Sequence, residues 1–302
     1  MRRACANFWI NCFFWSARHQ PWLVRATRRL APRAAVLCSR HIRRGTAANA
    51  RRIFQRDLDR REQRQFATQV TASFCDFIAD IGRALGRSRQ DLLREIHSID
   101  GQEHYHRARE ARRGAVVVTA HTGSFEVGMA SLLEHERRIH VVFRRDTHSL
   151  FERVRQQLRQ QLGVIEAPLG EDPLTWLRLR EALQADEVVA IQGDRVMPGQ
   201  KGLRVRFFGG HLLLPTGPAK LALASGSPII PILTVRAADG RIRIVIEEPI
   251  EFNAAMGAAD AVHAAVLQWA AVLERHVRRY PHQWLLLSPA FCEDIDRQSE
   301  EQ

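Results

Sequence analysis

The chain has 302 residues, 45% of them hydrophobic, and a formal net charge of +12. That length suits one large domain or two small ones, and that apolar fraction argues against wholesale disorder. Its five cysteines, Cys5, Cys12, Cys38, Cys75 and Cys292, include no C-x-x-C pair, which argues against a disulfide framework or a zinc site and makes a reducing compartment the default.

The first fifty residues hold ten arginines and no acidic residue, with the aromatic runs Phe8-Trp9-Ile10 and Phe13-Phe14-Trp15. The runs are too short to span a bilayer. Arginines beside large aromatics predict an interfacial helix on anionic lipid; a basic helical cap and an organelle transit peptide are the competing readings. Positive charge continues along the chain, almost all of it arginine, since Lys201 and Lys220 are the only lysines. Such a surface fits nucleic acid, anionic lipid or an acidic carrier protein, and charge alone does not choose among them.

Residues 1–98 read as helical and membrane-associating. Phe66, Val70, Phe74, Phe77, Ile78, Ile81 and Leu85 recur at spacings of three and four, which places them on one helix face packed against a core. Gly86 suits the helix stop and Ser88 the cap of a short following helix.

From residue 99 to 292 the pattern becomes α/β. Residues 115–120, Ala-Val-Val-Val-Thr-Ala, read as a strand buried on both faces. A helix is expected from Phe125 to Glu134, a strand at 139–143, a helix at 147–162 and a short strand at 163–167. A helix at 172–184 and a strand at 187–192 follow, and this alternation predicts βαβ units. Later come strand 203–208, helix 216–225, strands 229–236 and 241–247 about the turn Ala238-Asp239-Gly240, and helix 258–278. The expected architecture is α/β, with a mixed, largely parallel sheet flanked by helices. Residues 293–302 read as a frayed polar tail.

The sharpest chemical signal is His121-Thr122-Gly123-Ser124-Phe125-Glu126, directly after the strand at 115–120. A strand end fixes the backbone, and a helix start presents free N–H groups. A neutral imidazole there can take the proton of a hydroxyl as it attacks a thioester carbonyl. A carboxylate on the other ring nitrogen fixes the tautomer and stabilises the imidazolium. His121 is thus the candidate general base and Glu126 its candidate partner. Arg144 and Arg145 follow one strand and Asp194 and Arg195 another, at the edge where open α/β sheets bind ligands. Of these, Arg144, Asp194 and Arg195 are the candidate substrate-binding residues. The histidines His104, His106, His135, His140 and His148 show no metal-ligand spacing.

The stretches Gly101-Gln102-Glu103-His104, Gly114 to Val118 and His121 to Glu126 resemble the bacterial late acyltransferases of lipid A biosynthesis and their lysophospholipid acyltransferase relatives. The His-x4-Asp/Glu motif of that superfamily matches His121 and Glu126. The resemblance continues through Gly193-Asp194-Arg195, Phe207-Phe208-Gly209, Pro215 to Ala219, Ser227 to Pro231 and Pro281-His282-Gln283-Trp284, with Asn49 in the N-terminal part. It implies an acyltransferase fold and an acyl-carrier-protein or CoA thioester donor. It also implies a lipid or glycolipid acceptor, the cytoplasmic face of the bacterial inner membrane, and no metal or other cofactor. Ser124-Phe125 stands where lipid A enzymes commonly carry Asn-Trp, and Gln192-Gly193-Asp194-Arg195 is closer to the wider group; both point away from lipid A itself as acceptor. A lipid-binding protein of the same fold is the alternative. A nucleic-acid binder is disfavoured because no reading motif accompanies the charge.

Overall fold

The computed structural model describes residues 27–28, 30–145, 149–196 and 200–300. The aromatic runs at residues 8–10 and 13–15, and the flanking Arg2, Arg3, Arg18 and Arg25, lie outside the described residues.

Among the described residues four helices precede the sheet: α1 (Ala31–Cys38), α2 (Arg40–Phe54), α3 (Arg60–Ala84) and α4 (Arg89–Leu93). In α3, Asp59 and Glu62 form a reciprocal capping box, which satisfies N–H groups that a helix start leaves unpaired. Phe66, Val70 and Ile81 of the expected stripe are buried. No described helix is long and apolar enough to cross a membrane.

The sheet begins at β1 (Ile96–Asp100), inside the segment expected to be helical. There follow α5 (Gln102–Glu110), β2 (Ala115–Thr119), α6 (Phe125–Leu132), β3 (Ile139–Phe143), α7 (Ser149–Leu162), β4 (Ile165–Pro168), α8 (Thr175–Gln184) and β5 (Val188–Gln192). The chain closes with β6 (Gly202–Phe207), β7 (Gly210–Pro215), α9 (Gly217–Ser225), β8 (Ile229–Arg236), β9 (Ile242–Ile246), α10 (Ala258–Arg279) and α11 (Cys292–Glu300).

Seven strands form one mixed sheet in the order β1-β9-β8-β2-β5-β3-β4. Strands β8, β2, β5, β3 and β4 run parallel, and the β8–β9 hairpin reverses direction at the other side. The expected mixed, largely parallel α/β sheet is therefore what forms. Strand β2 lies inside it, and all five of its residues are buried. Its continuous apolar sequence follows from helices covering both faces, and each buried valine contributes about 1.5–3 kcal/mol.

Two differences from the sequence reading have local causes. Residues 210–215, expected as loop, form β7, which pairs with β6 in a separate two-stranded sheet. Alternation is the reason: Leu212 and Leu214 are buried while Leu213 is exposed. The expected polar tail is helical through Glu300. Asp294 anchors that helix from a buried position, through ion pairs to Arg51 and Arg52. The N-terminal helices are likewise tied to the sheet, since Ala50, Ile53, Phe66 and Val70 share one apolar cluster with Val116, Leu233 and Trp284.

Candidate active site

Strand register builds the site. In the parallel pair β2–β5, Thr119 is opposite Gln192. Two residues further on, the chains deliver His121 and Asp194 side by side at the carboxyl edge of the sheet. His121 Nδ1 lies 2.7 Å from Asp194 Oδ1, and the His121 backbone N–H donates to Asp194 Oδ2 at 3.2 Å. The Trp284 indole N–H donates to the same Oδ2 at 3.0 Å. Asp194 is fully buried, so each of these donors replaces lost water.

Two glycines make the approach possible. Gly123 has φ +54, and a Cβ there would sit 2.4 Å from the Thr234 carbonyl oxygen. Gly193 donates its N–H to Thr119 O at 2.8 Å and accepts from Trp269 Nε1 at 2.8 Å, and a Cβ there would press on Val118 at 2.6 Å.

These contacts set the protonation states. Burial pushes Asp194 upward, but His121, the Arg195 guanidinium and the Trp284 N–H prevail and hold it below the ordinary carboxylate range. Burial pushes the His121 ring below its ordinary value; Asp194 opposes this, and Arg195 adds to it. The result is a neutral imidazole against an ionised carboxylate. Arg195 Nε is 3.3 Å from Nδ1, longer than the carboxylate contact, so the Nδ1 proton is assigned to the bond with Asp194. Nε2 has no hydrogen-bond partner among the described residues, and the side chain is 24% exposed. Such a nitrogen is available to take a proton.

Glu126 is placed elsewhere. Among the described residues no hydrogen bond joins it to His121. It is 5% exposed and accepts from Ser124 Oγ at 3.3 Å. As the second residue of α6 it faces a narrow, mostly apolar pocket lined by Phe77, Phe125, Val142, Phe143, Leu158 and Ala190. Burial pushes its carboxyl up to about 7, with the nearby Asp80 adding and Arg155 opposing. The expected partnership with His121 thus passes to Asp194, because the strand register brings Asp194 to the ring while α6 turns Glu126 behind it. Arg195 joins the site, whereas Arg144 and Arg145 are exposed beyond β3, with Arg145 paired to Glu171.

Trp284 is the site residue that the motif reading passed over. It stands in a segment bridged to the His121 turn: Thr122 pairs with Trp284, and Leu285 N donates to His121 O at 2.9 Å. Asn49 clamps the end of that segment, donating to Leu286 O and Ser288 O and accepting from Ala290 N.

Residues 3–292 match the family described as bacterial lipid A biosynthesis acyltransferase. The chain belongs to that family. It is an enzyme that transfers acyl groups. Among its relatives is the phosphatidylinositol mannoside acyltransferase of Mycolicibacterium smegmatis, 28% identical over 227 residues, which cover 74% of this chain and 71% of the relative. The protein of the same name from Mycobacterium tuberculosis is 29% identical over 215 residues, 69% of this chain and 64% of the relative.

Proposed function

We propose that this enzyme moves a fatty acyl group from an acyl-carrier-protein or CoA thioester to a hydroxyl of a membrane glycolipid, with His121 as general base. The observation that carries this reading is the His121–Asp194 bond, which leaves Nε2 unpaired at the sheet edge. Nε2 takes the hydroxyl proton as the oxygen attacks the thioester carbonyl. Asp194 keeps the proton on Nδ1 and stabilises the imidazolium, and Trp284 holds Asp194 in place. Collapse of the tetrahedral intermediate forms the ester and expels the thiolate, which takes the proton back from Nε2. The substrate supplies the nucleophile, so no acyl-enzyme is needed.

Arg195, beside the ring, suits negative charge developing on the carbonyl oxygen, and Arg144, at the same sheet edge, suits the phosphate of a carrier. A glycolipid acceptor is supported by the names of the relatives and by the departures from the lipid A pattern at Ser124-Phe125.

Association with the cytoplasmic face of the inner membrane is supported by α1 and its flanks. Leu30 and Leu37 are each 67% exposed, and Arg33, Arg40 and Arg44 are exposed nearby. Apolar side chains ringed by arginines suit an anionic lipid surface.

The deciding test is lipid profiling by mass spectrometry in cells with wild-type protein, His121→Ala or no protein. One acylated lipid is expected to be lost from both the variant and the deletion strain. A full wild-type profile with His121→Ala would remove His121 from the chemistry.

A further inference from the structure

The catalytic turn separates two unlike spaces. On the Phe125–Glu126 side lies the apolar pocket. On the Gly123 side lies a cavity of about 350 Å³, within the range of about 300–1,000 Å³ common for small-molecule sites. The cavity is walled by α3, by the end of β8 and by the turn at Pro281–Gln283. It shares backbone with the active site, because Leu285 in its wall donates its N–H to the His121 carbonyl.

The polar groups around it fall into two sets. The charges are already committed. Asp76 pairs with Arg28 at 2.7 Å and lies 3.8 Å from Arg236, while Arg236 is bound to Asp80. Gln283 is committed as well, accepting from Arg236 N at 2.7 Å and donating to Arg236 O at 2.9 Å. By contrast, the side chains of Gln69, Ser73 and His282 line the cavity and have no hydrogen-bond partner among the described residues. Burial lowers the His282 pKa, so its ring is neutral and offers both a donor and an acceptor.

We propose that this cavity is the acceptor subsite and that it takes an uncharged, hydroxyl-rich headgroup such as a sugar ring. The inference rests on the acyl-transfer reading above. Three neutral groups that both donate and accept suit hydroxyls. Internally paired charges leave no guanidinium dedicated to a phosphate. A headgroup seated here lies beside Gly123, two residues from His121, and against Leu285, whose N–H is bonded to the His121 carbonyl.

The test separates donor use from acceptor use. Palmitoyl-CoA and palmitoyl-acyl-carrier protein serve as labelled donors, and the polar lipid extract of a deletion strain serves as acceptor. Donor hydrolysis without lipid is measured beside transfer to lipid. Ser73→Trp, which fills the cavity, is expected to lower transfer at least tenfold while hydrolysis stays within about twofold. Gln69→Ala and His282→Ala each remove one hydrogen bond and are expected to raise the acceptor KM about 2- to 10-fold, with the donor KM unmoved. Labelled product is expected on lipids that carry sugar, with or without a phosphate, rather than on lipids that carry none. Wild-type transfer by Ser73→Trp, parallel loss of hydrolysis and transfer in all three variants, or label confined to lipids without sugar would overturn the subsite. If wild-type protein shows neither transfer nor His121-dependent hydrolysis, the acyl-transfer reading fails, and the subsite falls with it.

Discussion

Asp194 and His121 stand 73 positions apart in sequence, yet Asp194 Oδ1 lies 2.7 Å from His121 Nδ1 because each residue follows the end of a parallel neighbouring strand by two positions. That relationship makes the two carboxylates of the site unequal. Asp194 is ionised and bonded to the ring, whereas Glu126 sits in an apolar pocket with its carboxyl pushed up to about 7.

The inequality is measurable. Asp194→Asn offers Nδ1 an amide, which no longer forces the proton onto that nitrogen. Its kcat is expected to fall by about 10²–10⁴-fold, comparable to His121→Ala. Glu126→Gln mimics the neutral carboxyl and is expected to retain most activity at pH 6. Equal losses in the two variants would return Glu126 to the role of partner.

The pH profile follows from the His121 shift. The base must be neutral, so kcat/KM falls as pH drops through its pKa. Burial places that value below the ordinary imidazole value of about 6.5, and the acid limb is expected below that pH. Asp194 opposes the shift by attracting the imidazolium. Asp194→Asn therefore moves the limb to still lower pH while reducing the plateau. A limb that moves upward would contradict the charge assignment.

Trp284→Phe keeps the ring but deletes the N–H that reaches Asp194 Oδ2 at 3.0 Å. The buried carboxylate then keeps only the His121 backbone N–H on that oxygen, at 3.2 Å. A missing donor to a buried charge costs about 1–3 kcal/mol. Both the denaturation midpoint and kcat are expected to drop, kcat by about tenfold.

Much of this was legible in the sequence, for reasons tied to particular residues. The run Ala115–Thr119 announced a doubly covered strand because no polar residue before Thr119 interrupts it. His121 was legible because it follows that strand directly and precedes a glycine turn. Asp194 and Arg195 were placed at the right sheet edge by the same rule applied to β5. Glu126 is the visible candidate beside His121 because a spacing of five shows in the sequence, whereas the β2–β5 register that brings Asp194 to the ring exists only in the folded sheet. Trp284 showed only as part of the resembling block Pro281–Trp284; its bond to Asp194, 90 positions earlier, was hidden for the same reason. Strand β7 was hidden by Gly209 and Gly210, which resemble an open loop, although Phe208 with φ 47 is what turns the hairpin.

Gly123 offers a test of the turn itself. Its φ of +54 and the Thr234 oxygen 2.4 Å from a would-be Cβ combine two penalties. The conformation alone costs a non-glycine residue about 1–2 kcal/mol, and the clash adds displacement of the His121 loop. Gly163 has φ +75 with nothing within 4 Å, so it isolates the conformational part. Gly123→Ala is expected to lower the thermal midpoint more than Gly163→Ala and to reduce activity, which Gly163→Ala leaves unchanged. Equal effects of the two substitutions would mean that the Thr234 contact is not rigid.

Glu126 also links stability to pH, with a sign opposite to that of a salt-bridged acid. Its carboxyl titrates near the ordinary 4.5 in the unfolded chain and at about 7 when folded. The folded state therefore binds this proton more tightly, and the advantage is full below the unfolded value. It is lost as pH rises through about 7, when a charge is forced into the apolar pocket. The full difference amounts to about 3 kcal/mol. Glu126→Gln removes the titration, so the variant is expected to gain on the wild type as pH rises, with little difference at pH 4.5 and the largest at pH 8. Asp80, buried beside Arg236 and Arg83 and pushed up to about 6 by burial, shifts stability in the same direction. Its contribution cancels to first order when variant and wild type are compared at each pH. Denaturant unfolding of both proteins at pH 4.5, 6 and 8 measures the difference. A gap that does not widen with pH would place the Glu126 carboxyl in contact with water rather than in the apolar pocket.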